Sequence, residues 1–244
     1  MEQAINLVGE VFLALARLAF PWRAKARYIV MLGGPGTGKG TMTELLEPRT
    51  GLKKLGTGAL VRAYIETRRG RKWAAHVKGG GLLPTWIILW LVFKELRKPK
   101  YDNGAILDGV PRTRWQAFCL RLMLAFWGHR FGDAVLLEVP EADIVERLAL
   151  RRTCKNKACN KTYHIKFNPP KKEGVCDKCG SELEQRADDH PDSVKERLRL
   201  FSATSGPLNA YFEEMGILHR ITSTNDRSVD QVLEDVYFSL EESD

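Results

Sequence analysis

No stretch of the 244 residues holds the roughly 18 consecutive apolar side chains that a bilayer-spanning helix needs. The longest candidate, "WIILWLVF" at 86–93, reads as a buried helix. Internal repeats and low-complexity tracts are absent, so a solenoid or a disordered tail is excluded. Cysteine is scarce, with five in all, and a disulfide-stapled secreted framework is excluded by their spacing. No Ser–His or Cys–His pairing suggests a nucleophile with its base. What remains is an ordinary globular composition, 44% hydrophobic and 28% charged, with a net charge of +8. That excess favours anionic ligands: nucleotides, nucleic acid or an acidic membrane face.

Strand-like and helix-like stretches alternate. "RYIVMLGG" at 27–34 reads as a buried strand, "TMTELLEPR" as a helix, "GAILDGVPRT" as a second strand with a helix from about Thr113. "AVLLEVP" is a third strand, followed by the helix "EADIVERLALRR". A long helix from "DSVKERL", the strand "GILHRITS" and the helix "SVDQVLEDVYFSLEE" close the chain. This order predicts an α/β fold, a parallel sheet covered by helices on both faces.

"GGPGTGKGT" at 33–41 stands between the first strand and the first helix, the context in which a glycine-rich turn cradles phosphates. Gly33, Gly36, Gly38 and Gly40 allow backbone N–H groups to converge, the helix points its positive end at the same place, and Lys39 adds a mobile charge. Unlike the general phosphate loop, Gly40 directly follows the lysine and Thr41 comes one later. In "LDGVPRT" at 107–113, Asp108 ends a strand where a carboxylate could hold magnesium-bound water, and Arg112 could fork onto a phosphate. Gln116 lies one turn beyond Arg112, yet Thr113-x-x-Gln116 is equally a capping box.

Cys154, Cys159, Cys176 and Cys179 are spaced C-x4-C and C-x2-C with sixteen residues between the pairs. That spacing suits a structural metal in a reducing compartment; four thiolates suit zinc where no redox chemistry is needed, and iron also accepts them. Such a segment could grip nucleic acid or cover a nucleotide site. Cys119, in an apolar run, reads as a core thiol.

"GGPGTGKGT", "GTGALVR", "GGLLP", "LDGVPRTRWQA", "ERLALRR", the cysteine pairs and "QRADDHPDSVKERL" follow one another as in adenylate kinases, and the chain over roughly 28–236 resembles the bacterial type with a zinc-bearing lid. The resemblance implies a P-loop core at 27–55, 86–151 and 187–244, a nucleoside-monophosphate-binding region at 56–85 and a lid at 152–186. It implies magnesium-dependent transfer, ATP + AMP ⇌ 2 ADP, with structural Zn2+, no nucleic acid, and a cytoplasmic monomer. UMP or CMP as acceptor is the alternative, and a basic zinc-ribbon protein using ATP on nucleic acid a more distant one. Carried over residue by residue, Gly36, Thr37, Gly38, Lys39, Gly40 and Thr41 would hold the ATP phosphates, with Arg147 and Arg151 flanking adenine and phosphates. Thr57, Arg62, the backbone near Leu83 and Gln116 would form the AMP site, Gln116 reading adenine and Arg112 gripping the phosphate. Arg186 and Arg197 would converge on the transferring group, and Asp108 would order magnesium-bound water. Asp188 and Asp189 match the pair at the lid's return, where Asp189 could also cap the next helix.

Four departures from the family pattern stand out: Ala59 in place of an acidic residue, Val110 for phenylalanine, Leu150 for the glycine at the lid hinge, and a wider first cysteine pair. Residues 1–26 precede every motif. Gln3, Asn6, Glu10 and Arg17 form one narrow polar stripe on an otherwise apolar helical pattern that Pro21 ends. So wide an apolar face is expected to pack on the chain's own body or a second copy, with a membrane surface as the alternative.

Overall fold

The computed structural model describes residues 26–241 apart from 157, 160, 187, 188 and 190; the expectations for the leader at 1–25 and for Asp188 lie outside them. The first strand, β1 (Arg27–Leu32), leads through the glycine-rich turn into helix α1 (Lys39–Thr50). Next come β2 (Lys53–Gly56), α2 (Thr57–Glu66), the short α3 (Ala74–Lys78), α4 (Thr85–Leu96), β3 (Gly104–Asp108) and α5 (Arg114–Phe126). The chain continues through β4 (Arg130–Glu138) and α6 (Glu141–Ala149) to three small strands, β5 (Arg151–Cys154), β6 (Thr162–His164) and β7 (Leu183–Glu184). It ends with α7 (Pro191–Glu214), β8 (Leu218–Thr222) and α8 (Val229–Glu241).

The main sheet runs β2-β3-β1-β4-β8, and every pairing in it is parallel. Parallel strands need helical crossovers, so both faces are covered, and the period-2 alternation of β1 sorts its side chains between two cores. Tyr28, Val30 and Leu32 point to the side of Val92, Leu120, Leu124 and Phe212. Ile29 and Met31 point to the side of Met42, Leu46, Val232 and Val236. Nearly continuous apolar sequence in β1 is what a strand buried on both faces requires.

The cysteine segment leaves this body as an antiparallel sheet, β6-β5-β7. Its buried cluster, Cys154, Tyr163 and Cys176 with Leu183 and Cys159 against it, is separate from the body's cores.

Three local expectations change. The helix "EADIVERLALRR" stops at Ala149, and Arg151 and Arg152 begin β5, because their backbone pairs with His164 and Tyr163 of the lid. α4 is amphipathic rather than buried: Ile87, Ile88 and Val92 face the core, while Trp86 and Trp90 remain 69% and 49% exposed. β2, an edge strand of four residues with two lysines, is an addition that the sequence pattern did not suggest. No helix among the described residues is long and apolar enough to cross a membrane.

Candidate active site

β1 and β3 end at the same rim, with Met31 in register with Asp108. Beyond that rim lies a cleft of about 1090 Å³. Ligand sites in open α/β sheets sit at this carboxyl edge.

The loop after β1 reaches its shape through left-handed glycines. Gly36 has φ +77°, and a Cβ there would meet Leu148 Cγ at 2.8 Å. Gly38, at φ +91°, is the N-cap of α1, so the positive end of that helix opens onto the cleft. Lys39 folds back over the loop: its Nζ donates to the carbonyls of Gly33 (2.8 Å) and Gly34 and to Thr37 Oγ1 (3.1 Å). Burial pushes its pKa down to about 7; Asp108 opposes the shift, and Arg112, Arg197 and Arg151 add to it. The ammonium is thus held where cations outnumber anions, an environment that phosphate groups would relieve.

The arginines arrive from separate elements. Arg112 Nε donates to Gly109 O at 3.0 Å in the turn after β3. Arg147, near the end of α6, donates to Asn225 Oδ1 (2.8 Å), Ser223 O (2.8 Å) and Thr37 O (3.4 Å), tying α6 to the phosphate loop. Arg151 opens the lid and Arg186 closes it; Arg186 donates to Thr153 Oγ1 (2.9 Å) and Thr162 Oγ1 (3.0 Å) across the lid strands. Arg197 Nη1 stands 3.7 Å from Asp189, a buried carboxylate that Arg151 also grips.

Gly36 through Thr41, Arg62, Asp108, Arg112, Arg147, Arg151, Arg186 and Arg197 all line the one cleft. Thr57, Leu83 and Gln116 are buried behind its wall. Thr57 Oγ1 donates to Asp108 O at 3.3 Å. Gln116 N donates to Thr113 Oγ1, and Gln116 Oε1 accepts from Arg112 N at 2.8 Å. The capping pattern read in the sequence is therefore formed, with its return bond one residue earlier, on the loop that carries Arg112. Leu150, at φ −94° and ψ 1°, occupies backbone space open to any residue, so the lid junction does not require glycine here.

Among the cleft residues that sequence reasoning missed, with Glu44 and Lys161, is Lys54. Its Nζ lies 3.3 Å from Asp108 Oδ2 and 3.2 Å from Gly40 O. A lysine in a "KK" pair carries no local signal; only the pairing of β2 with β3 brings it to Asp108.

The four lid sulfurs lie within 4.8 Å of one another, Cys154 to Cys179 at 3.4 Å and Cys159 to Cys176 at 3.7 Å. Four thiolates around zinc at about 2.3 Å would stand about 3.8 Å apart along each tetrahedral edge. The set fits a closed zinc site; bonded sulfurs would be about 2.05 Å apart. Zinc there would supply a cross-link between β5 and the lid's second half, with no coordination position left for substrate.

A glycine-rich loop at a helix N-terminus, facing arginines drawn from the body and from the small cysteine-bearing sheet, defines a P-loop phosphotransferase. The adenylate kinase profile matches residues 31–217. Curated adenylate kinases from Carboxydothermus hydrogenoformans, Caldicellulosiruptor saccharolyticus and Archaeoglobus fulgidus are 38%, 36% and 35% identical to it, over 87%, 87% and 85% of this chain and 99%, 98% and 98% of theirs. The chain belongs to the adenylate kinase family.

Proposed function

We propose that the protein transfers the terminal phosphoryl group of ATP to AMP, giving two ADP, and that it does so as the family does, with magnesium carried in on ATP. The observation that carries this reading is the convergence of Lys39, Arg112, Arg147, Arg151, Arg186 and Arg197 on one cleft. The attacking AMP phosphate oxygen is already ionised at neutral pH, so the task is to bring two anions into line and offset their repulsion. In this reading the loop from Gly36 to Thr41 holds the ATP phosphates with Lys39, and Arg147 and Arg151 flank the ATP. Arg62 and Arg112 face the monophosphate, and Arg186 and Arg197 close on the transferring group. Asp108 and Thr41 would face the magnesium, whose contribution is positive charge on the phosphates. The lid excludes water, which would otherwise accept the phosphoryl group.

A second reading of acceptor choice rests on Gln116. Its carbonyl oxygen is engaged by Arg112 N, which supports a role in fixing the Arg112 loop rather than in choosing the base. A coupled assay of ADP formation with AMP, CMP and UMP, with and without nucleic acid, tests both. Preference for AMP, indifferent to nucleic acid, is expected; equal turnover of the three removes AMP specificity, and ATP hydrolysis without a monophosphate removes the kinase reading.

For the surroundings of the enzyme, thiols arranged for a metal suit a reducing compartment, and we take this to be the cytoplasm, with the protein a monomer unless the leader pairs two copies. The leader joins the body at Ala26, which packs in the same core as Leu96 and Leu124. Trp86, Trp90 and Phe93 on α4 and Trp115 and Phe126 on α5 are exposed apolar side chains of the helices on that face. These features support packing of residues 1–25 on the body or on a second copy. Removing them should preserve turnover while lowering solubility or changing the size-exclusion volume; flotation of only the full-length protein with lipid vesicles would replace this with membrane attachment.

A further inference from the structure

Two carboxylates line the cleft beside the first turn of α1, Asp108 and Glu44. Each faces a lysine. Lys54 Nζ is 3.3 Å from Asp108 Oδ2 and 3.9 Å from Glu44 Oε1, and Lys161 Nζ of the lid is 3.0 Å from Glu44 Oε2. Lys54 also donates to the carbonyl of Gly40 at 3.2 Å. Gly40 leaves room for it: a Cβ there would come to 3.4 Å from Lys54 Nζ. The residue at 59, also on the cleft wall, is alanine and adds no charge. The acidic groups that would attract a hydrated dication to the ATP phosphates are thus matched by ammonium groups belonging to the chain itself.

We propose that Lys54 is a positioning residue that holds Asp108 against the phosphate-loop helix and takes over part of the charge neutralisation otherwise left to magnesium, so that this enzyme discriminates only weakly between magnesium-bound and metal-free ATP. The proposal rests on the kinase reading above. An ammonium between Asp108 and Gly40 O fixes the carboxylate before nucleotide arrives, and a paired carboxylate repels metal-free ATP less than a bare one. Both effects act through Asp108, so Lys54 need not touch the transferring phosphoryl group.

The measurement is ATP affinity by titration calorimetry, in excess EDTA and in excess Mg2+ at matched ionic strength, for the unaltered protein, Lys54→Met and Lys54→Arg. Lys54→Met should raise the ratio of the two dissociation constants about tenfold, at about 1.4 kcal/mol per decade. It should do so by weakening metal-free binding and sparing magnesium–ATP binding. Magnesium should then bind the enzyme–ATP complex more tightly by the same factor, so that turnover saturates at lower free Mg2+, and Lys54→Arg should restore most of the original ratio. A ratio in Lys54→Met within twofold of the unaltered protein overturns the proposal, as does equal weakening of both ligands, which marks a merely structural lysine. Thermal melts of each variant show whether it folds. Because the readout is ATP binding, it stands even if AMP proves not to be the acceptor, and the two readings fail separately.

Discussion

Arg151 Nε donates to Asp189 Oδ2 at 2.8 Å, while the second arm of the same guanidinium reaches the other carboxylate oxygen, so a fully buried acid clamps the first residue of β5 to the segment by which the lid returns. The second partner, Arg197, comes from α7. Three segments therefore share one carboxylate at the base of the cysteine-bearing sheet. Removing one side of a buried pair costs about 3–5 kcal/mol because the other side is left uncompensated. Asp189→Ala should lower the melting temperature by several degrees and raise the KM for ATP more than tenfold; a melting temperature within about one degree of the original would show that the clamp carries no weight.

Lys39→Ala and Arg112→Ala should each reduce kcat by at least about a hundredfold while circular dichroism and melting stay close to the original. Near-normal turnover in either would mean that the phosphates lie elsewhere in the cleft.

The pH dependence follows from Lys39. In the free protein its pKa is pushed down to about 7, against an ordinary value of 10.5. Phosphate beside the ammonium raises it again. Between about pH 7 and the bound-state value, ATP binding must therefore take up protons, and affinity should fall as pH rises above 7. Calorimetry at pH 8 in buffers of different ionisation enthalpy should give net proton uptake, lost in Lys39→Met. For folding the sign is reversed: the unfolded lysine holds its proton up to pH 10.5, so this group costs stability below pH 7, and the cost is relieved as pH climbs from 7 to 10.5.

Gly36→Ala tests the loop's backbone. Its φ is +77°, and a methyl group would sit 2.8 Å from Leu148 Cγ, pressing α6 away and with it Arg147. The variant should lose both ATP affinity and about 1–3 kcal/mol of stability. Unchanged ATP affinity in denaturant-stable protein would show that the loop adapts.

Cys176→Ser should lower bound zinc from about one per chain toward none and destabilise the lid, leaving the body's sheet intact. Protein prepared without chelators that contains no tightly bound metal would refute the zinc assignment.

The parallel body was legible because its strands are buried on both faces: "RYIVML" and "GAILD" have no polar face to mislead. The phosphate loop was legible for a different reason, since its glycines answer to local backbone geometry. Roles that depend on partners distant in sequence were not. Lys54 meets Asp108 across 54 positions only because β2 pairs with β3. Arg151 and Arg152 carry a helical pattern from "EADIVERLAL", yet strand pairing with the lid overrides it. Gln116 fits a cap and a base reader equally on paper; the capping bonds are formed, and they depend on the turn that carries Arg112. Trp86 and Trp90 made α4 look wholly buried because hydropathy alone counts aromatics as interior.

The lid keeps its own small core, and no buried side chain of that core belongs to the body's clusters. With zinc on its four sulfurs, local unfolding of the lid would be linked to free zinc: each tenfold rise in zinc above its dissociation constant would add about 1.4 kcal/mol to the folded lid and nothing to the sheet beneath. Amide exchange should divide accordingly, with protection around Tyr163 and Leu183 following zinc activity and protection around Ile29 and Ile106 ignoring it. Loss of metal would then melt one small sheet and leave the phosphate loop standing, so the molecule would fail in two stages rather than one.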